Sequence, residues 1–542
     1  MTVESYDFIV VGAGSAGCVV ANRLSADSAT RVLLIEAGPR DRNPWIHVPA
    51  GYYRTMFDPR ISWGYETAPV PGAANRRIPW PRGKVLGGCS SINGLVYARG
   101  QREDFDHWRQ LGNVGWSFDD LLPFFRMAED NALPGMSETY HAKGGPLGIS
   151  QAEPNPLCDA FIEAAEQAGI PRNRDYNGAQ QEGAGYFQTT ARNGLRCSAA
   201  TAYLRPARHR SNLRIQTGAL VRRLLTEGRR VVGVEAEIDG RTVEYRCARE
   251  VVLSAGAINS PQLLQLSGIG DPAHLGPLGI ETRHALPGVG QNLQDHYTAR
   301  CVFACKQPVT LNDEVGTVIG RVRTGLQWLL TRRGPLSLSA GQVGVFARTR
   351  PEIASPDIQF HFLRYSAEGR GKSLHRFSGF TVSVCQLRPE SRGTIAIDSP
   401  DPAAKPVIQP NYLDAMIDRE TMVAGIRLIR DVVGQPAMAP FLGQEITPGT
   451  DVESDEGVLD YVRQSGSTIF HPSSTCKMGH DAMAVVDDRL RVRGMEGLRV
   501  ADASIMPTVV SGNTNAACIM IGEKCADLIL SSQSAPQPEL AQ

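Results

Sequence analysis

From Tyr6 to Val11 the chain is rich in Val and Ile and alternates poorly between apolar and polar positions. That pattern predicts a strand covered on both faces. Apolar positions resume after a short glycine-bearing break, with Val19, Val20 and Leu24 on one side of a helix predicted from Ser15 through Leu24. "RVLLIEAG" then reads as a second buried strand ending at Glu36. Strand, turn, helix and strand follow one another within about 30 residues, the opening unit of a parallel α/β sheet.

Further along, the texture changes. "DIQFHFLRY", "GFTVSVCQLRP" and "GTIAID" read as strands, with "SRG" as a turn between the last two. "DRETMVAGIRLIRDVV" reads as an amphipathic helix with Met422, Ile426 and Ile429 on one face. Strands beside helices without strict alternation predict an α+β unit with an antiparallel sheet. The closing stretch "SSQSAPQPELAQ" is polar and Pro-bearing and is expected to be disordered.

Composition changes this picture little. A chain of 542 residues exceeds one simple core, so two or more lobes are expected. Lys+Arg and Asp+Glu both number 56, and zero net charge gives no reason to expect nucleic acid or an acidic partner. The 11 cysteines are scattered, with no CxxC or zinc spacing, which predicts reduced thiols, no metal site and a cytoplasmic protein. The start, "MTVESYD", lacks a secretory pattern, and no stretch reaches the roughly 18 uninterrupted apolar residues of a membrane span.

The break after the first strand places Gly12, Gly14 and Gly17 in the spacing G-x-G-x-x-G. In that motif the first glycine lets the chain turn sharply and the second admits a pyrophosphate against the backbone. The third lets the helix pack close to the sheet. The helix N-terminus at Ser15 and Ala16 then offers free N–H groups and a partial positive charge to a phosphate. Glu36, followed by Ala37, stands where an acid can accept hydrogen bonds from ribose hydroxyls and would repel a 2′-phosphate, which argues against NADP. The motif alone leaves FAD and NAD open.

Three later segments narrow the choice. "WPRGKVLGGCSSINGLVYARG" sets Arg82 and Lys84 before Gly87, Gly88 and Ser90, a composition suited to lie against phosphates or a flat ring system. "GAINSPQLLQLSGIG" follows the strand "EVVLSAG", with Pro261 expected near a helix start and Gly268 near its stop. "LRVADASIMP" reads as a strand followed by an acid and small residues.

The first two of these segments resemble the two signature patterns of the glucose–methanol–choline (GMC) family of FAD-dependent oxidoreductases. "GVGQNLQDH", "HPSSTCKMG" and "SGNTNAACIM" resemble further family segments, and the likeness runs from residue 6 to about residue 530. The resemblance implies FAD, its ADP half held by the opening glycines. Residues 1–155, 190–300 and 466–532 are then expected to form a discontinuous, Rossmann-like α/β FAD-binding domain. Residues 156–189 and 301–465 are expected to form an α+β substrate-binding cap, and 533–542 a disordered tail.

The resemblance further implies contacts near the flavin ring from Asn93 and Gly94, a backbone contact to the adenine from Val221, and Asp502 and Ala503 beside the ribityl–pyrophosphate chain. It also implies cofactor contacts from Asn513 and Thr514. Some members attach FAD to a His that follows two serines. Here the run is Ser90-Ser91-Ile92, so non-covalent FAD is expected.

His471 precedes Pro472 and is therefore held in an extended or turn conformation. It sits where the family's catalytic His sits, and Asn513 occupies the second catalytic position, which is His or Asn in the family. Alcohol oxidation removes the O–H proton and moves a hydride from carbon to flavin N5. A neutral imidazole suits the proton, and an amide can hold the same oxygen. His296 in "NLQDH" is read as structural and Cys476 as a small buried residue.

The expected activity is oxidation of a primary alcohol to the aldehyde, with His471 as general base and oxygen or a quinone-like carrier as electron acceptor. The alternative is a non-redox lyase of the hydroxynitrile type on the same fold.

Overall fold

The computed structural model describes residues 4–369 and 371–534. Two seven-stranded sheets organise it. The first contains β1 (Ser5–Val11), β2 (Val32–Glu36) and β3 (Arg241–Leu253). Its order is Leu213–Thr217, β2, β1, β3, Arg230–Ile238 and Ala219–Glu227, with Leu498–Val500 also on β3. The strands Leu213–Thr217, β2, β1, β3 and Leu498–Val500 run parallel, and the remaining two return antiparallel. β2 is buried at every position and β1 from Phe8 onward, the physical reason their sequences do not alternate.

Helix α1 (Ser15–Leu24) leaves β1, and α2 (Gly256–Leu266) leaves β3. Parallel strands end along one edge of a sheet. The glycine turn after β1, Glu36, the turn at Ser254 and Asp502 after Leu498–Val500 therefore gather at that edge. Pro261 lies inside α2 rather than near its start. Its ring leaves the Ala257 carbonyl without an intrahelical donor, and Thr475 Oγ1 donates to that carbonyl instead at 2.6 Å.

The second sheet contains β4 (Tyr297–Cys305), β5 (Ile358–Leu363) and β6 (Gly379–Gln386), and is antiparallel throughout. Its order is Leu442–Thr447, β4, β6, β5, Val343–Ala347 and Gly183–Tyr186, with Ser467–Thr468 also on β4. The strands alternate in what they face. Ile358, Phe360, Phe362, Phe380, Val382 and Val384 share one core with Met422, Ile426 and Ile429 of α3 (Met416–Val433). His361, Leu363, Thr381 and Ser383 face the other way, onto a cleft.

The strand in "GTIAID", Thr394–Ala396, does not extend this sheet. It pairs with Val407–Gln409 in a separate ribbon. The chain leaving β6 is turned aside because Asp418 of α3 accepts the N–H groups of Glu390 (2.8 Å) and Ser391 (2.9 Å).

Helix α4 (Asn515–Ser534) packs on α1. A Cβ on Gly522 would lie 2.8 Å from the Ala16 carbonyl oxygen, so the two backbones approach closely only because that residue is glycine. The helix includes 533 and 534. The rest of the expected tail, 535–542, lies outside the described residues.

Candidate active site

A cleft runs from the strand-end edge of the first sheet to the polar face of the second. Gly12, Gly14, Ser15, Ala16, Glu36, Ala37, Arg82, Gly88, Asn93, Gly94, Val221, Asp502, Ala503, His471, Asn513 and Thr514 all line it. Three residues expected at the cofactor lie behind its wall. Gly17 sits beneath the turn, where a Cβ would come 1.9 Å from the Gly12 carbonyl oxygen. The Ser90 hydroxyl donates to the Gly87 carbonyl (2.6 Å) and accepts from the Ala199 N–H (2.9 Å). It braces Gly87, and neither residue lines the cleft, because the loop turns its small polar groups inward to satisfy its own backbone.

The first-sheet end is built largely of backbone. Gly12 has φ +97°, and a Cβ there would lie 2.5 Å from the Ser254 carbonyl oxygen. The N-termini of α1, α2 and α4 all open onto the cleft, at Ser15, Gly256 and Asn515. Ser15 Oγ donates to Asn515 Oδ1 at 2.7 Å, tying two of them together. Converging helix N-termini offer unpaired N–H groups and partial positive charge, the chemistry a diphosphate requires.

Two acids stabilise this end. Glu36 accepts from the Ala13 N–H (3.0 Å) and the Gly38 N–H (2.8 Å), while its burial raises the carboxyl to about 7. Asp502 accepts from the Gly256 N–H (2.8 Å) and the Ser260 hydroxyl (2.6 Å). Arg196, which the sequence did not single out, donates to Asn93 Oδ1 at 2.7 Å and so fixes that amide. Burial lowers the Arg196 guanidinium to about 9.

The other end is built of side chains. Phe470, at φ +72°, holds the chain in a strained turn just before His471. Arg82 Nη2 donates to the Phe470 carbonyl (2.7 Å) and Phe470 N–H donates to Thr468 Oγ1 (2.6 Å). The His471 N–H donates to Asp295 Oδ1 at 2.7 Å.

His296, read from sequence as structural, touches the imidazole of His471 directly. Their Nδ1 atoms are 2.9 Å apart. The antiparallel bridge between Gln294 and Ser473 brings the two segments together.

The contacts of His296 fix who donates. Burial holds its imidazole down at about 4, so it is neutral near neutral pH. Its Nε2 lies 3.1 Å from the Leu387 carbonyl, which can only accept, so Nε2 carries the hydrogen. His296 Nδ1 must then accept, and His471 Nδ1–H donates to it. That leaves a lone pair on His471 Nε2 when the ring is neutral. Asn513 Nδ2 lies 3.1 Å from that nitrogen and donates to it. Gln359 Nε2 of β5 donates to Asn513 Oδ1 at 3.3 Å and sets the amide's orientation. Hydrogen bonds from both sides thus present one basic nitrogen at the cleft.

Among the described residues no cluster of His, Cys, Asp and Glu could hold a metal ion, and no helix is long and apolar enough to cross a membrane. All 11 cysteines are free, and burial pushes the Cys476 thiol well above its ordinary value.

Two family models described as GMC oxidoreductase match residues 6–298 and 389–522. Oxygen-dependent choline dehydrogenase of Photobacterium profundum is 45% identical over 531 residues, 97% of this chain and 93% of that one. Mitochondrial choline dehydrogenase of Mus musculus is 46% identical over 536 residues, 97% of this chain and 89% of that one.

Among solved structures, pyridoxine 4-oxidase of Mesorbium loti superposes with a TM-score of 0.88 at 33% identity, covering 97% of this chain and 99% of that one. Formate oxidase of Aspergillus oryzae, as an arginine-to-lysine variant, gives 0.92 at 27% identity, covering 98% and 99%. The glycine turn, the converging helix ends and Glu36 suit the ADP half of FAD, which is the cofactor. With full-length likeness on both sides of the cleft, the chain belongs to the GMC oxidoreductase family and is an FAD-dependent oxidoreductase acting on CH–OH donors.

Proposed function

We propose that the protein oxidises a primary alcohol to its aldehyde, with His471 Nε2 as the general base. The observation that carries this reading is the directed run of hydrogen bonds through Leu387, His296, His471, Asn513 and Gln359, which makes Nε2 the accepting atom. An alcohol is too weak an acid to ionise unaided, so its proton must leave as the hydride does. His471 Nε2 takes that proton, and the charge gained is shared through Nδ1–H with His296. Nε2 has one lone pair, so the entering alcohol hydroxyl replaces Asn513 Nδ2 at it, and Asn513 Nδ2 then donates to the substrate oxygen beside Nε2 and holds the carbinol carbon in line. FAD supplies the hydride acceptor at N5. The segment Ser90-Ser91-Ile92 supports non-covalent FAD, since Ile92 cannot form a bond to the flavin.

Choline, named for the curated relatives, is the first primary alcohol to test. The decisive measurement is anaerobic mixing of the yellow holoenzyme with a panel of alcohols. Loss of the oxidised flavin colour, with aldehyde formed in equal amount, is the expected result. A lyase would leave the flavin oxidised with every alcohol. Reoxidation of the bleached enzyme by oxygen or by a quinone identifies the acceptor. Acid precipitation should leave FAD in the supernatant, and colour retained in the pellet would refute non-covalent binding.

A further inference from the structure

The second-sheet wall carries a charge that the proposed proton transfer does not use. Arg300 lies on β4, in register with Ser383 of β6, which is in register with His361 of β5. All three line the cleft. Arg300 is half-buried against the cleft, whereas the fully buried arginines of the described residues are paired. Arg99 meets Glu129 at 2.8 Å, and Arg364 and Arg499 each meet a glutamate. Arg196 donates to two backbone carbonyls and to Asn93.

Among the described residues Arg300 has no carboxylate partner, burial lowers its guanidinium, and Tyr365, Tyr461, Tyr52 and Tyr53 stand around it. The acids lining the cleft are Glu36 and Asp502, both at the first-sheet end and both held by backbone N–H groups. A desolvated guanidinium without a counter-charge is costly to keep. Burial also raises Tyr52 and Tyr53, so their hydroxyls remain donors.

We propose that Arg300 binds the anionic end of the substrate, so that the alcohol oxidised here carries a carboxylate several bonds away from its carbinol carbon. The inference rests on the alcohol-oxidation reading of the same cleft. A guanidinium offers a planar fork matched to a carboxylate. Among the described residues Arg300 is the one guanidinium that the second sheet turns onto the cleft, and a single guanidinium balances one negative charge, which favours a carboxylate over a phosphate dianion. Three residues of extended chain, about 10 Å, separate Arg300 from Tyr297, the neighbour of His296, so the anion is held away from the reacting carbon. The aromatic rings of Tyr52 and Tyr53 could by themselves attract a quaternary ammonium group. Arg300 among them repels one. The substrate therefore differs in charge from choline.

Anaerobic flavin reduction by an ω-hydroxycarboxylate, by its methyl ester and by choline tests this on the parent holoenzyme. The carboxylate should exceed the ester in second-order reduction rate by about 10- to 100-fold, the scale of a charge-assisted hydrogen bond. Choline should be the poorest of the three. Arg300→Met should erase the preference, and Arg300→Lys should restore part of it. A non-reacting alkanoate, followed through its perturbation of the flavin spectrum, should bind the parent and bind Arg300→Met about 10- to 100-fold more weakly.

Equal rates for carboxylate and ester, or choline reducing the flavin as fast as the carboxylate, would overturn the inference. Alkanoate binding unaffected by Arg300→Met would overturn it too. If no alcohol reduces the flavin, the oxidation reading fails, and the alkanoate titration still decides whether Arg300 holds an anion.

Discussion

The two walls of the cleft are made of different material. The first-sheet wall presents backbone: a glycine turn, three helix N-termini and clearances too small for a Cβ. The second-sheet wall and its neighbours present side chains: His471, Asn513, His361 and Arg300, with Gln359 behind Asn513. A backbone wall fixes what is absent from the sequence, and one added methyl disturbs it. Arg300 and His361 sit on strands whose opposite faces are packed in the core, and His471 and Asn513 on connecting segments, so the chemistry of this wall can change without moving the scaffold. Substitutions on the two walls should therefore separate, one set altering cofactor retention and the other altering flavin reduction.

The largest separation is expected at His471. His471→Ala should slow flavin reduction by alcohol about 10²- to 10⁴-fold, the loss of a general base, and should leave FAD bound. Asn513→Ala removes a positioning hydrogen bond and should cost about 5- to 150-fold, for a bond of roughly 1–3 kcal/mol. The pH profile tells the roles apart. The parent rate should fall at acid pH, as Nε2 takes up a proton and can no longer accept one from the substrate. Asn513→Ala should keep that limb and His471→Ala should lose it. Rapid-mixing reduction across pH measures both, and a His471→Ala rate equal to the parent's would place the base elsewhere.

On the opposite wall, Gly12→Ala should act on FAD and leave the intrinsic reduction of reconstituted enzyme near the parent's. The new Cβ meets the Ser254 carbonyl oxygen at 2.5 Å in a conformation of φ +97°. Strain of about 1–3 kcal/mol corresponds to a dissociation constant for FAD raised about 5- to 150-fold. Fluorescence titration of apoprotein with FAD reads it. Unchanged affinity would mean that the turn shifts freely and that the cofactor does not need its present shape.

The same contrast explains how much was legible in the sequence. The β1 turn, α1 and Glu36 form one short segment whose spacing is itself the geometry, so local pattern sufficed. His471 and Asn513 came from family likeness, since neither carries a local signal of direction. Gln359 was not singled out because strand period tells which residues share a face and not what lies opposite. His296 stands 175 positions from His471, and only a tertiary bridge joins them. At Ser90 the local pattern leaves two directions open: a small hydroxyl among glycines can face a ligand or its own backbone, and here it bonds to Gly87 and Ala199. Pro261 was expected to open a helix, and a distant threonine let it sit inside one.

The smallest expected effect lies at Glu36 and depends on pH. Burial, the largest cause, raises its carboxyl to about 7 in the protein without cofactor contacts to it. Ribose hydroxyls donate to the charged form, so bound FAD favours the carboxylate and lowers that value. Affinity for FAD should then be constant above about pH 7 and weaken as pH falls below it, because a proton must leave before the cofactor binds. Replacing the charge by an amide substitutes neutral for charge-assisted hydrogen bonds, a difference of about 1–1.5 kcal/mol. Glu36→Gln should therefore raise the FAD dissociation constant about 5- to 15-fold above pH 7. Below that pH the parent carries the proton itself and the two proteins should converge. Titration of both apoproteins with FAD across this range provides the measurement. A parent whose affinity ignores pH, or a Glu36→Gln variant that keeps the parent's slope, would place the ribose away from Glu36 and leave the first-sheet wall acting through its backbone alone.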